Sequence, residues 1–501
     1  MNTLYAFSQL RAIETTAALM GLDLMARAGE AIADWVAAHY PRSGRVLAIA
    51  GRGNNGGDAL LAATLLRQQG WEVDALLPLG EPGRVQAIAA LDGFCQAGGV
   101  VLESWETTGD YALVLDGLFG IGMEGELEGA ACRTIERLNA LSCPILALDC
   151  PSGLDAWRGT VRPVAVRAQA TLTFIAAKPG LYTADGRDYC GDIALATLDV
   201  PEAHLPKPVG HLNYPQAATL KRLIRPHNCH KGNFGSVAVM GGAEGMGGAV
   251  LLAARAALLI GTGKVLGGFV GSSLPLDPLY PELMLRDAAW LVDDPVVTVF
   301  AVGPGLGTAK SAATLLGQIL ERCLPMVWDA DALNVLAKNP TLAEQVATHP
   351  ALCVLTPHPA EAARLLGCTV AKVQADRIAA AQALAARFAA VVVLKGSGSI
   401  IAQPLGDFVV NPTGNGGMAA AGQGDVLTGV IAGLMAQGLS PFEAATLGCW
   451  LTGRAAEALA ENSIGPLGLT AGEISQAARN VLNPLLKAAG SEGEGAWRLP
   501  L

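Results

Sequence analysis

Short runs of Val, Ile and Leu recur along this chain at helix-length intervals, and that spacing constrains the fold more than any other feature. In the first half the runs cover residues 46–50, 73–77, 113–115 and 145–148; in the second they cover 236–240, 297–302, 326–328, 353–355 and 391–394. A strand buried on both faces reads as a continuous apolar run, and parallel neighbours need a crossover helix between them. The rhythm therefore predicts βαβ units and an α/β fold built on parallel sheets. At 501 residues the chain exceeds one ordinary domain, and two domains of roughly 200 to 280 residues fit better. Pro201, Pro206, Pro208, Pro215 and Pro226 interrupt the rhythm, so the boundary is expected there, with domains at 1–215 and 223–490. The two halves share no motif, which reads as a fusion of different domains and not a duplication. From Gly422 the pattern turns helical, with Val426, Leu427, Val430, Ile431 and Leu434 on one face.

Composition excludes several classes. Hydrophobic residues make up 51% and charged residues 16%, with 61 glycines, a balance that suits Ala/Gly/Leu-rich enzymes and not disordered chains. The net charge of -10 is offset by no basic block, so no nucleic acid is expected as a partner. The ten cysteines lack C-x-x-C pairs, which argues for reduced, buried thiols over a zinc site or a secreted disulfide framework. Residues 1–14 do not read as a signal peptide, and no run of about 18 apolar residues occurs. No membrane partner and a cytoplasmic location are the expectations.

In the first half, the strand ending at Ala50 runs into Gly51-Arg52-Gly53-Asn54-Asn55-Gly56-Gly57-Asp58, followed by a helical stretch over 59–69. A glycine loop between strand and helix lets backbone N–H groups approach a phosphate at the positive end of the helix dipole. A tight turn with Asp58 as the helix cap would look the same. Two further aspartates open motifs at strand ends, Asp116 in Asp116-Gly117-Leu118-Phe119-Gly120-Ile121-Gly122 and Asp149 in Asp149-Cys150-Pro151-Ser152-Gly153-Leu154-Asp155. Open α/β sheets place ligands at the carboxyl ends of their strands. These three motifs, in this order, resemble the YjeF N-terminal family, the epimerases of hydrated NADH and NADPH, over residues 1 to about 215. The resemblance implies a Rossmann-like three-layer domain. Its dinucleotide would be held by Asn54, Asn55, Gly56, Gly57 and Asp58 and by Gly120, Ile121, Gly122, Met123, Glu124, Gly125 and Glu126. A potassium ion would be ligated by Asn55, Asp116 and Ser152, and Asp149 would be the acid/base.

The second half gathers unusual residues at strand ends again: Gly303-Pro304-Gly305-Leu306-Gly307, Asp329-Ala330-Asp331-Ala332-Leu333 and Thr356-Pro357-His358-Pro359-Ala360-Glu361. The sharpest signal is Ala421-Gly422-Gln423-Gly424-Asp425 at the start of a long apolar helix. There the glycines free first-turn N–H groups for an anion, and Asp425 can take a proton from an attacking hydroxyl. A helix-capping aspartate is the plainer alternative, although it leaves Lys395-Gly396-Ser397-Gly398-Ser399 unexplained. His358, between two prolines, could equally pack in a rigid loop.

These motifs resemble the ribokinase-like superfamily and, within it, the YjeF C-terminal family, the ADP- or ATP-dependent dehydratases of hydrated NAD(P)H, over residues 223 to 489. The resemblance implies that Lys395, Gly396, Ser397, Gly398, Ser399 and Gly424 contact the adenine nucleotide. The hydrated dinucleotide would meet His358 and the catalytic Asp425, with Ala249, Gly305 and Gly307 lining the site. Fused in one chain, the halves imply a repair enzyme that interconverts the epimers of hydrated NADH and NADPH and dehydrates one. ADP is favoured as co-substrate by analogy with fused members, with Mg²⁺ accompanying it, and the family implies a homo-oligomer. A small-molecule kinase would share the G-x-G-D logic and would betray itself by a stable phosphorylated product. A first domain that only senses nucleotide would show no epimer exchange.

Overall fold

The computed structural model describes residues 3–105, 110–123, 125–349 and 353–491, which divide into two compact units, Met1–Leu212 and Asn213–Leu501.

In the first unit a seven-stranded sheet has the order Val100–Leu102, Glu72–Leu76, Arg45–Ala50, Leu113–Gly117, Ile145–Leu148, Ala170–Phe174 and Asp192–Ala196. All of its pairings are parallel. From Arg45–Ala50 the chain winds outward to Val100–Leu102, then returns to add Leu113–Gly117 on the other side. The order reverses there, and a crevice opens above the strand ends. The helices Leu24–His39 and Asn54–Gln68 pack on one face, with Ala130–Asn139 on the other.

The helix after the first strand begins at Asn54, not at residue 59, and its N-cap is Gly53, so Asp58 does not cap it. Close packing is the reason. A Cβ on Gly51 would stand 1.9 Å from the Leu118 carbonyl oxygen, and one on Gly56 2.0 Å from that of Gly51. Only glycine lets the helix start press this tightly onto the strand ends.

In the second unit the strand order is Phe408–Val410, Ile400–Ala402, Val391–Leu394, Cys353–Leu355, Met326–Trp328, Val299–Val302, Ser236–Gly241, Lys264–Phe269 and Met284–Asp287. Pairing is parallel from Val391–Leu394 to Met284–Asp287 and antiparallel in the hairpin at the other edge. Lys264–Phe269 escapes the sequence pattern because Gly267 and Gly268 interrupt it. A Cβ on Gly268 would meet Met240 Sδ at 2.7 Å. Among the described residues no helix is long and apolar enough to cross a membrane.

The glycine-rich helix Gln423–Ala436 crosses Gly247–Leu259 in the core. A Cβ on Gly429 would lie 2.0 Å from the Ala253 carbonyl oxygen, whereas one on Gly317, within the helix Lys310–Leu320, meets nothing within 4 Å. In urea unfolding of the full chain, Gly429→Ala is expected to cost about 2–3 kcal/mol by overpacking. Gly317→Ala is expected to gain about 0.5–1 kcal/mol through helix propensity.

Candidate active sites

Three strand ends of the first unit converge on a cavity of about 840 Å³. Its wall includes Asn54, Asn55, Asp58, Gly120, Ile121, Gly122, Met123 and Asp149, together with Glu14 and Lys178. Gly56 and Gly57 are closely packed, the latter against Met25, where a Cβ would come within 2.6 Å of Cε. The 120–126 loop is tied down by Arg162, which donates to the carbonyl oxygens of Met123 and Gly125 and pairs with the buried Asp155. Gly125 and Glu126 lie along this loop; Glu124 falls outside the described residues.

Asp116 and Ser152 sit fully buried at the strand ends. The Ser152 hydroxyl donates to Asp116 Oδ1 at 2.7 Å and its N–H to Oδ2 at 2.9 Å. Burial nevertheless pushes the Asp116 carboxyl up to about 6, against these hydrogen bonds. Asn55 is 8% exposed, and neither its Oδ1 nor its Nδ2 has a hydrogen-bond partner among the described residues. A buried amide left unpaired costs about 1–3 kcal/mol, a cost that a ligand at Asn55 would relieve.

Asp149 follows Ile145–Leu148 with φ 65°, a strained conformation for a non-glycine residue. Its backbone N–H donates to Leu172 O at 2.8 Å, and its Oδ1 accepts from Lys178 Nζ at 2.5 Å. Lys178, 1% exposed, also donates to Thr173 Oγ1 and to the Phe174 carbonyl. Sequence reasoning missed Lys178; its signal was a lone cation in the apolar stretch 174–181. Burial, reinforced by Asp149 and Glu14, holds the Asp58 carboxyl well above the usual range, and burial then Asp149 raise Glu14. The cavity thus groups carboxyls that stay protonated unusually long around one anchored aspartate, the raw material of acid/base chemistry.

In the second unit Asp425 stands in the first turn of Gln423–Ala436, whose N-cap is Gly422 in the left-handed region at φ 85°. Asp425 is therefore not the cap. Burial first, then the charge of Asp329, pushes its carboxyl up to about 7. Lys395 Nζ lies 2.6 Å from Asp329 Oδ1, and Thr428 Oγ1 donates to Asp329 Oδ2 at 2.9 Å. Burial alone would raise Asp329, but Lys395 and the hydroxyls of Thr356 and Thr428 outweigh it and hold that carboxyl low. Gly424 adjoins the pair: a Cβ there would be 3.2 Å from Lys395 Nζ. Asp329 is a residue the sequence marked as a motif without giving it a role.

Around these, Gly307 N–H donates to Asp331 Oδ2 at 2.8 Å, and Ala249 adjoins Gly305, 3.4 Å from the position of a Cβ there. Gly396 has φ 141° and abuts the buried Arg377, whose guanidinium donates to the Leu394 and Lys395 carbonyls. Ser399 Oγ donates to Gly396 O, closing the turn that also contains Ser397 and Gly398. His358 is the N-cap of Pro359–Leu366, its Nδ1 accepting from the N–H groups of Ala360 and Glu361. Burial and the nearby Lys395 hold His358 below its usual range, while burial takes Glu361 up to about 7.

Comparison with known proteins gives this arrangement its relatives. Residues 21–180 match the family described as YjeF-related protein N-terminus, and residues 237–480 match the family described as NAD(P)H-hydrate dehydratase. A bifunctional NAD(P)H-hydrate repair enzyme from Coxiella burnetii is 37% identical over 97% of this chain and 100% of its own length. An ADP-dependent (S)-NAD(P)H-hydrate dehydratase from Neisseria meningitidis is 47% identical over 53% of this chain and 90% of its own. A crystal structure of an ADP/ATP-dependent NAD(P)H-hydrate dehydratase from Bacillus subtilis, co-crystallized with ATP/Mg²⁺, is 31% identical, covers 55% of this chain and 99% of its own, and has a TM-score of 0.48. With full-length relatives matching end to end, the chain belongs to the family of bifunctional NAD(P)H-hydrate repair enzymes.

Proposed function

We propose that the first unit interconverts the R and S forms of hydrated NADH and NADPH and that the second dehydrates the S form with ADP, releasing AMP and phosphate. The observation that carries the reading is the placement of Asp425 in the first turn of a glycine-opened helix, protonating near 7 beside the half-buried Lys395. A base with that proton affinity suits transfer at neutral pH.

In the dehydratase step Asp425 takes the proton of the ring hydroxyl as its oxygen attacks the terminal phosphoryl of ADP, and the bond to AMP breaks. The ring nitrogen's electron pair then expels phosphate, and loss of the adjacent C–H proton restores the double bond. Lys395, with Gly396, Ser397, Gly398, Ser399 and Gly424, receives the nucleotide. Ala249, Gly305, Gly307 and His358 receive the dinucleotide. The phosphates of the nucleotide would bring Mg²⁺ with them, which would supply neutralising charge.

In the epimerase step a hydroxyl leaves a carbon bonded to nitrogen and returns on the other face, and Asp149 carries the proton. Asn54, Asn55, Gly56, Gly57, Asp58 and the 120–126 loop hold the dinucleotide. A potassium ion fits Asn55, Asp116 and Ser152: the set supplies oxygen donors suited to a hard cation, including the unpaired amide oxygen of Asn55. The ion would supply a fixed positive charge at the strand ends. A cytoplasmic homo-oligomer is the setting we infer for both steps.

Recovery of absorbance near ~340 nm, the signature of reduced nicotinamide, tests the whole. Both epimers mixed with protein, K⁺, Mg²⁺ and ADP are expected to recover completely. Asp149→Asn should leave only a partial fast phase, and Asp425→Asn none. A stable phosphorylated product would instead mark a kinase.

Lys178 is the support on which this reading of Asp149 relies. Lys178→Met alone is expected to destabilise the fold by about 3–5 kcal/mol, because it strands a buried carboxylate. Combined with Asp149→Asn, the loss should be clearly smaller than the sum of the two single losses in denaturant titrations. Additive losses would mean that the pair is not coupled.

A further inference from the structure

We propose that Asp329 is a positioning residue of the dehydratase reaction: it clamps the Lys395 ammonium beside Gly424 and keeps it from pairing with Asp425. The proposal rests on the reading of Asp425 as the base and adds a residue to it.

The geometry is a closed set of contacts. Asp329 is 1% exposed and immediately follows the strand Met326–Trp328, so its carboxylate emerges at the sheet's carboxyl end. One oxygen holds Lys395 at 2.6 Å and the other accepts from Thr428 at 2.9 Å. Thr428, fully buried, sits in the same helix as Asp425 and one position short of Gly429, where that helix touches its neighbour. The clamp therefore ties the end of the strand Met326–Trp328 to the helix that carries Asp425. Lys395 has Glu361 as a second, looser partner at 4.0 Å. Among the described residues the Asp425 side chain makes no ion pair or hydrogen bond, although Lys395 is close enough to act on it electrostatically.

A flexible lysine beside two carboxylates would ordinarily pair with whichever gains more. Asp329 wins because its hydroxyl donors stabilise the ionised form, while Asp425 lacks such donors. The division of labour follows: Asp329 stays ionised and holds the cation, and Asp425 keeps a free carboxylate that can pick up a proton. The charged groups acting on Asp425 are Asp329 and Asp331, which oppose its ionisation, and Lys395, which favours it. Beyond Lys395 stand Glu361 and His358.

Asp425 must be ionised to act, so its proton affinity sets the acid limb of the rate profile, near pH 7. Removing the Asp329 charge takes away a repulsion and frees Lys395 to approach Asp425. Both changes lower that affinity. Removing Lys395 raises it.

The test is the pH dependence of kcat for dehydration of the S epimer by the full-length enzyme at saturating ADP and Mg²⁺. Asp329→Asn is expected to move the acid limb down by about one pH unit and to lower the plateau roughly tenfold, since a weaker base is left. Lys395→Met is expected to move the limb up, in the opposite direction. Thermal melting monitors folding, and if Asp329→Asn does not fold, the upward shift in Lys395→Met decides alone. Limbs that stay put, or move the same way, overturn the proposal. Asp425→Asn separates the two readings: activity retained there removes Asp425 as the base, whereas an inactive Asp425→Asn with unmoved limbs removes only the role of Asp329.

Discussion

In each unit a lysine is held against an aspartate at the carboxyl end of a parallel sheet, with one partner of each pair buried: Lys178 on Asp149 in the first, Lys395 on the buried Asp329 in the second. Taking such charges out of water costs several kcal/mol per ion, and the attraction repays it only when the remaining donors and acceptors are satisfied. Both pairs meet that condition through threonine hydroxyls, Thr173 accepting from the Lys178 ammonium and Thr428 donating to the second Asp329 oxygen. Much around them follows from the need to satisfy these charges. Both aspartates follow a strand directly, Asp149 after Ile145–Leu148 and Asp329 after Met326–Trp328.

The sheets answer that need by their connectivity. Parallel strands all deliver their carboxyl ends to one edge, so residues far apart in sequence, such as Asn55, Asp116 and Asp149, arrive together without any local signal joining them. Glycines make the last approach possible. Gly51 and Gly56 in one unit, and Gly429 in the other, are places where a single added carbon would collide with a backbone oxygen. Gly56 and Gly57 in particular are fixed by close packing.

The alternating rhythm made the central strands readable from sequence, because Ile145–Leu148, Met326–Trp328, Cys353–Leu355 and Val391–Leu394 are uninterrupted apolar runs. Strands whose apolar run is broken do not read this way: Gly267 and Gly268 interrupt Lys264–Phe269, Thr171 and Thr173 interrupt Ala170–Phe174, and Met284–Asp287 ends in Arg286 and Asp287. Among candidate site residues, those inside dense motifs stood out. Lys178 and Arg377 did not, because a lone basic residue acquires its meaning only when the fold buries it against a carboxylate or a row of carbonyls. The start of the helix at Asn54 was misplaced because two asparagines and two glycines have poor intrinsic helix propensity, which tertiary packing overrides.

His358 shows how local structure limits what a side chain has left to offer. Two backbone N–H groups occupy the lone pair of its Nδ1, which fixes the ring proton on Nε2, and Nε2 lies 3.3 Å from Glu361 Oε1. The Nδ1 edge of the imidazole is therefore committed to its own helix, although the side chain is 47% exposed. What the ring can still offer a partner is its Nε2–H and its flat face, so recognition there would run through one donor, shape and polarizability, and never through the Nδ1 lone pair.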